Sequence, residues 1–308
     1  MLTLDIVIPL YKSQQTLPQL IERLNAWNAE KKSELHMHVI FVEDGSGDGT
    51  FEFLKSLEKQ LQFSFEAIRL TRNYGQHTAI ATGLSASKSD FVVVMDDDLQ
   101  HDPFEIDNLF EKLQSTNADL VYGTYQAKQH SLVRNFSSSV LKKITKSKSI
   151  DFSNVTSFKI MKSTVLTTIK QQVSPIIFVD VYLLQNAGKV ETCMVNHAKR
   201  IAGKSTYSNK KLLQLTFGII LFHSSMPLKM IIRIGLTMSI VFFGMSCYYV
   251  YQKLFNDVEM GFTSIIVAIF LSTGLILVSL GIIGEYIRRI WVRQNQLEQV
   301  AISEQWKA

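Results

Sequence analysis

Two apolar runs, residues 234–251 and 261–284, constrain this chain more than any other feature. Each approaches the roughly 20 residues that a helix needs to cross the ~30 Å hydrocarbon core of a bilayer. The link between them, residues 252–259 (QKLFNDVE), is short and polar, so the pair is expected to form an antiparallel transmembrane hairpin. Lys210, Lys211, Lys229 and Arg233 precede the hairpin, and Arg288, Arg289 and Arg293 follow it. The link has a single Lys against Asp257 and Glu259, so both ends are expected in the cytoplasm and the link outside. Tyr248, Tyr249, Tyr251 and Trp291 stand where interfacial aromatics belong. A buried core hairpin is the competing fold, disfavoured by the length and the flanking charge. Residues 210–222 (KKLLQLTFGIILF) are apolar but too short to span, and Pro227 follows them. A helix lying in the headgroup plane fits this stretch, and so does an ordinary core helix.

Residues 1–208 mix apolar and polar side chains as a water-exposed domain does. Strands are expected at 4–9, 37–42, 65–70, 91–95 and 120–123, with helices at 17–27, from about 50 to 61, at 77–87 and at 104–115. This alternation implies right-handed crossovers and an α/β fold with a doubly wound, mostly parallel sheet. The net charge of +5 gathers around the apolar runs, which points to anionic headgroups rather than nucleic acid. Cys193 and Cys247 supply neither a disulfide framework nor a metal cluster. No cleavable signal opens the chain, so the first domain is expected to stay on the side where it is made.

In open α/β sheets, ligands bind beyond the carboxyl ends of the strands. Asp44 follows the second expected strand, Arg72 the third, and Asp96, Asp97 and Asp98 the fourth. Three adjacent carboxylates repel one another, and a hard cation such as Mg2+ or Mn2+ would relieve them while sharing substrate phosphate oxygens. On extended backbone Asp96 and Asp98 point to one side and Asp97 to the other, with Gln100 continuing the first direction. The competing reading is a solvated acidic turn ahead of a helix. Residues 43–50 (EDGSGDGT) join a strand end, a glycine-rich turn and a helix start, and Asp44 is suited to accept a base N–H. This is not a Walker loop, since its Gly-Lys-Ser/Thr element is missing. Asp48 and Thr50 are read as capping the next helix. His77 follows Arg72 and Asn73 and could reach a phosphate, though polar filler at a helix start fits it better; His101, beside the acidic cluster, could join a metal site but is disfavoured because hard cations prefer oxygen.

Residues 6–11 (IVIPLY), 43–50 (EDGSGDGT), 72–75 (RNYG), 95–100 (MDDDLQ) and 281–286 (GIIGEY) stand in this order along nearly the whole chain. The set resembles the family 2 glycosyltransferases of GT-A fold, in the branch that makes polyprenyl-phosphate sugars. That resemblance implies inverting, metal-dependent transfer from a nucleotide diphosphate sugar to a polyprenyl phosphate at the bacterial inner membrane. Carried over position by position, it assigns Pro9, Tyr11, Glu43, Asp44, Ser46, Arg72, Asp96 and Asp97 to the donor, and Asp96, Asp98 and Gln100 to the metal. It also makes residues 199–207 (KRIAGKSTY) similar to a basic stretch ahead of the membrane, where Arg200 and Lys204 would approach phosphate. Arg134 resembles a basic position on an acceptor loop of about residues 126–148. Asp180 is a sugar or acceptor contact, or a helix cap.

The implied layout is a cytoplasmic catalytic domain (1–208), a juxtamembrane helix (209–229), the transmembrane hairpin (230–287) and a cytoplasmic basic tail (288–308). A homo-oligomer is compatible with it. Transfer directly to a glycan or glycolipid is the alternative activity. Residues 157–162 (SFKIMK) and Thr124-Tyr125 depart from the family pattern near the expected sugar site, so the sugar is left open.

Overall fold

The computed structural model describes residues 2–31, 35–125, 155–171, 178–196, 261–294 and 300–307, with scattered positions between 230 and 255. The chain forms two compact units: Met1–Ile219 with Gln299–Ala308, and Ile220–Glu298.

The first unit is built on one sheet. Its strands are β1 (Leu2–Leu10), β2 (Leu35–Glu43), β3 (Ser64–Leu70), β4 (Phe91–Val94), β5 (Leu120–Thr124), β6 (Val155–Lys162), β7 (Val190–Met194) and β8 (Ile302–Lys307), in the order β7-β5-β6-β4-β1-β2-β3-β8. The four consecutive neighbours β4, β1, β2 and β3 are parallel, as the βα alternation requires. β6 is antiparallel to β4 and β5, and β7 is parallel to β5.

Period-two alternation sends the strand side chains to opposite faces. Leu4, Ile6, Ile8 and Leu10 of β1 pack with α1 (Leu17–Lys31), α2 (Thr50–Ser56) and α4 (Glu105–Thr116) in one core. Val7, with Ile40, Val42, Val92 and Val94, joins α3 (Gln76–Ala86) and α5 (Val179–Asn186) in the other. Each fully buried aliphatic side chain contributes about 1.5–3 kcal/mol, so the two cores fix which face every strand presents. Trp27, fully buried, donates its Nε1–H to Asp107 (3.2 Å) and joins α1 to α4. Helix α3 lies close on β1: a Cβ on Gly83 would meet Val7 Cγ1 at 2.4 Å. Pro9 is tolerated in this central strand because β4 pairs only as far as Val7, and Leu10 turns its carbonyl toward Asp44.

The final strand alters the expectation of a plain basic tail. Residues 302–307 pair antiparallel with β3 and cover its edge. Alternation in ISEQWK is too short and too polar to announce a strand. Its partner, β3, supplies the stabilisation: Trp306 packs edge-on against Phe65, with centroids 5.0 Å apart.

In the second unit, α6 (Phe262–Gln294) is one 33-residue helix. Ile265, Ile269, Ile276, Val278, Leu280, Ile287 and Ile290 are exposed on it. Over the described residues, no helix is long and apolar enough to cross a membrane. Most of the first expected run, and the side chains of part of the second, lie outside those residues. The expected juxtamembrane helix lies outside them altogether.

Candidate active site

The loops that leave β1, β2, β3 and β4 meet at the carboxyl edge of the sheet, tied together by side-chain hydrogen bonds. Ser13 N–H donates to Thr50 Oγ (3.1 Å), and Gln14 Nε2 donates to the Asp48 carbonyl (2.7 Å), joining the β1 loop to the β2 loop. The β2 and β3 loops meet through Asp44, whose two carboxylate oxygens accept the Tyr74 N–H (2.7 Å) and the Gly75 N–H (2.9 Å). Gln76 Nε2, at the start of α3, donates to Asp96 Oδ1 (2.7 Å) and carries the chain of contacts to the β4 loop. Thr16 Oγ donates to Asp97 (3.3 Å) and closes the circuit at the start of α1.

The β2 turn is shaped by its glycines. Gly45 has φ +59°, and a Cβ there would stand 2.3–2.7 Å from the Arg72 backbone. Only glycine lets these two loops approach so closely. Glu43 is buried; its Oε1 accepts the Ser46 N–H (2.5 Å), and the Ser46 hydroxyl lies 2.6 Å from both Glu43 and Asp48. Asp48 accepts the Thr50 N–H (3.1 Å) just ahead of α2, but the N-cap position is Gly49 and carries no side-chain cap bond, so neither Asp48 nor Thr50 caps this helix as expected. Arg72 is exposed, its guanidinium 4.8 Å from the centre of the Tyr74 ring. Tyr11 is also exposed, with its N–H donated to Ser13 Oγ (2.9 Å). Three described non-glycine residues have positive φ: Asn117 ends α4, while Lys12 and Leu99 sit in the loops of this crevice. Such backbone concentrates at functional sites.

Within the acidic cluster, Asp96 and Asp97 turn to different neighbours. Asp97 turns toward Thr16, whereas Asp96 turns toward β6, where Oδ2 accepts the Ser157 hydroxyl (2.5 Å). Asp98 is buried, and its Oδ1 accepts the Gln100 N–H (3.1 Å) across the left-handed Leu99. Burial is the main force raising the Asp96 carboxyl above its ordinary range; the Asp98 charge adds to it, and the Ser157 bond and Lys159 oppose it. Burial pushes Asp97 up to about 6, with Asp96 and Asp98 contributing. Burial likewise lifts Asp44 to about 6 against its two backbone hydrogen bonds. Among the described residues no group of three His, Cys, Asp or Glu side chains is arranged to hold a metal ion.

Beneath Asp96 lies a polar cluster that sequence reasoning missed apart from Asp180. Ser157 and Lys159, two apart on β6, share a face. Lys159, 1% exposed, forms an ion pair with Asp180 Oδ1, which also accepts the Tyr122 hydroxyl (2.9 Å). Burial alone would raise the Asp180 carboxyl, but Lys159, His77 and Tyr122 together hold it below its ordinary value. Oδ2 of Asp180 has no hydrogen-bond donor among the described residues, and 14% of the side chain is exposed. His77 is half-buried against Phe178 (centroids 4.6 Å apart), and desolvation of its ring pushes it down to about 4. His101 stacks on Phe158, 5.0 Å away, and so packs against the core. Asp180 lies in the first turn of α5 but makes no cap hydrogen bond. The signal that could have exposed this cluster is a Lys inside the apolar alternation of β6. Arg134, Arg200 and Lys204 lie outside the described residues.

A mostly parallel sheet with an acidic strand end, a glycine turn and a basic loop around one crevice defines a GT-A-like domain of the glycosyltransferase class. The description "Glycosyl transferase family 2" matches residues 5–167, more than half of the chain, and the chain belongs to that family. The undecaprenyl-phosphate 4-deoxy-4-formamido-L-arabinose transferase of Pectobacterium atrosepticum is 30% identical over 295 residues, covering 93% of this chain and 88% of the relative. Its counterpart from Pseudomonas savastanoi pv. phaseolicola is 28% identical over 292 residues, covering 93% and 86%. Among solved structures, glucosyl-3-phosphoglycerate synthase from Mycobacterium tuberculosis, in complex with Mn2+, UDP-glucose and phosphoglyceric acid, superimposes with a TM-score of 0.51 at 14% identity. That match covers 71% of this chain and 78% of the other, and extends to the fold.

Proposed function

We propose that this glycosyltransferase moves a sugar, with inversion, from a nucleotide diphosphate sugar to a polyprenyl phosphate at the bacterial inner membrane, supplying cell-envelope glycan modification. The observation that carries this reading is the likeness to undecaprenyl-phosphate 4-deoxy-4-formamido-L-arabinose transferases over 93% of the chain, through the apolar runs as well as the catalytic unit.

In this reading Asp44 accepts a base N–H, with Glu43 and Ser46 shaping the turn beneath it. Pro9 and Tyr11 line the base side, while Arg72 and Asp97 flank the diphosphate. A divalent cation, Mg2+ or Mn2+, is held by Asp96 and Asp98, with Gln100 nearby. The Asp98 charge, which adds to burial in raising Asp96, supports this assignment, and a hard cation bound by two carboxylates completes its shell with substrate oxygens and water. Bound there, it would neutralise charge on the departing diphosphate. The acceptor phosphate is already anionic near neutral pH, so its oxygen attacks the anomeric carbon without a strong base. Alignment and positive charge are then the main requirements. We assign Arg134, Arg200 and Lys204 to that phosphate, and the undonated Oδ2 of Asp180 to a hydroxyl of the sugar or acceptor.

The layout we propose is a cytoplasmic catalytic domain (1–208), a juxtamembrane helix (209–229), a transmembrane hairpin (230–287) and a cytoplasmic end (288–308) that includes β8. In length alone, at about 1.5 Å per residue, the 33 residues of α6 reach about 50 Å against the ~30 Å of a bilayer core, although its described residues do not meet the apolarity of a spanning helix. The exposed isoleucines on it suit lipid contact.

Incubating the purified full-length protein with Mn2+, undecaprenyl phosphate and a panel of nucleotide sugars should yield an organic-extractable sugar lipid. Glycosylation of soluble or preassembled glycans alone would remove the lipid phosphate from this account. A tag at Asn256 should be reached only from outside the cell and a reporter after Ala308 only from inside; the reverse would overturn the topology.

A further inference from the structure

The C-terminal strand does more than cover a sheet edge. From Glu66↔Lys307 to Arg69↔Glu304 it pairs regularly with β3, and the register shifts between Arg69 and Leu70. Past the end of β3 the contacts continue onto the next loop. Thr71 N–H donates to the Ala301 carbonyl (3.0 Å), and Ala301 N–H donates to the Tyr74 hydroxyl (3.3 Å). Thr71 Oγ lies 3.2 Å from the same hydroxyl. The Tyr74 ring carries the Arg72 guanidinium, and the Tyr74 and Gly75 N–H groups are the ones bound by Asp44. One tyrosine thus touches the C-terminal segment through its hydroxyl, Arg72 through its ring and Asp44 through its backbone.

The strand is anchored independently of that contact. Glu304 pairs with Lys55, Lys307 lies 3.0 Å from Glu66, Gln305 bonds to Glu66, and Trp306 packs on Phe65. Simple edge protection needs only pairing along β3. Both backbone polar groups of Ala301 are spent on the loop beyond it.

We propose that β8 and Tyr74 are positioning elements for donor binding: the anchored strand holds the Tyr74 hydroxyl, and the tyrosine holds Arg72 and the Asp44-bound loop in place. This rests on the reading of the crevice as the nucleotide-sugar site. It makes the residues that follow the apolar region in sequence part of the donor site's support.

Three variants test it: Tyr74→Phe, a chain ending at Ala301, and the two combined. The readouts are amide hydrogen exchange of peptide 71–78 without ligand, and affinity for UDP with Mn2+ by calorimetry, with UDP as the probe. Each single change should speed exchange at Tyr74 and Gly75 and weaken UDP binding about 3- to 10-fold, the value of one or two hydrogen bonds. Because both act through one contact, the combination should be no weaker than the truncation alone. A peptide of residues 300–308 should restore binding by the truncated chain. Wild-type exchange and UDP affinity in Tyr74→Phe and the truncation, or losses that add fully when combined, would overturn the proposal. If the wild type fails to bind UDP while exchange still accelerates in the variants, the brace stands and the donor reading of the crevice falls instead.

Discussion

Replacing Lys159 by methionine keeps the reach of the side chain and removes its charge from a site closed to water. Only 1% of the Lys159 side chain and 14% of the Asp180 side chain are exposed. Without the amine, Asp180 keeps the Tyr122 hydroxyl at 2.9 Å as its one neutral donor among the described residues. Removing one partner of a buried ion pair costs about 3–5 kcal/mol, and the Tyr122 bond and residual exposure put this case near 3 kcal/mol. For a domain of this size that loss lowers the unfolding temperature by roughly 6–12 °C. The pH dependence follows from the carboxyl. In the wild type Asp180 is held below its ordinary value, so its contribution is present above the unfolded value of about 3.9 and is lost as pH falls through the lower folded value. In Lys159→Met, burial raises Asp180, so the deficit is largest at high pH and shrinks as acid protonates the carboxyl. Thermal unfolding of the detergent-solubilised chain at pH 8 and pH 5 reads both effects. Adding Asp180→Asn should recover most of the loss, since the amide oxygen still accepts from Tyr122. A shift below about 2 °C, an equal shift at both pH values, or no recovery in the double variant would refute the reasoning.

Gly45→Ala should destabilise the fold by at least about 2 kcal/mol and weaken UDP binding more than tenfold, because the new methyl meets the Arg72 backbone at φ +59°; wild-type behaviour in both assays would refute this. His77 is held near 4 against about 6.5 unfolded, so neutral His77 stabilises the fold above about 6.5, and that contribution is lost as pH falls toward 4. His77→Gln should therefore flatten the acid limb of a stability-versus-pH curve by up to about 3 kcal/mol. With Asp44 near 6, UDP affinity should fall as pH drops through that value, more steeply in the wild type than in Asp44→Asn. Parallel pH profiles for the two proteins would remove Asp44 from the donor site.

The parallel core was legible because its strands are continuous Val, Ile and Leu runs between helical periods. Right-handed crossovers fix the hand of these connections, while the β4-β1-β2-β3 order itself comes from the structure. The convergence of Asp44, Arg72 and Asp96 was legible for the same reason, since each stands within two residues of a strand's carboxyl end. The links between them were not. Gln76, Ser157 and Tyr74 are ordinary polar residues whose partners are fixed by loop conformation, and nothing local in the sequence marks Gln76 as the donor to Asp96. Lys159 was visible as a charge within the apolar alternation of β6, while its burial against Asp180 depends on the first turn of α5 meeting Tyr122 of β5 and Lys159 of β6. β8 escaped because six residues of mixed polarity gain their strand character from β3, which lies 235 residues earlier in the chain at the Arg69–Glu304 rung; the pairing is tertiary, not local.

In the proposed function, the carboxylates just after β4 support transfer of a sugar onto a lipid phosphate. Labelled nucleotide sugar, undecaprenyl phosphate and Mn2+ should give label in the organic phase with the wild-type chain, and at least about 100-fold less with Asp98→Asn at equal membrane content. Equal label from both proteins, or none from the wild type with any donor, would contradict it.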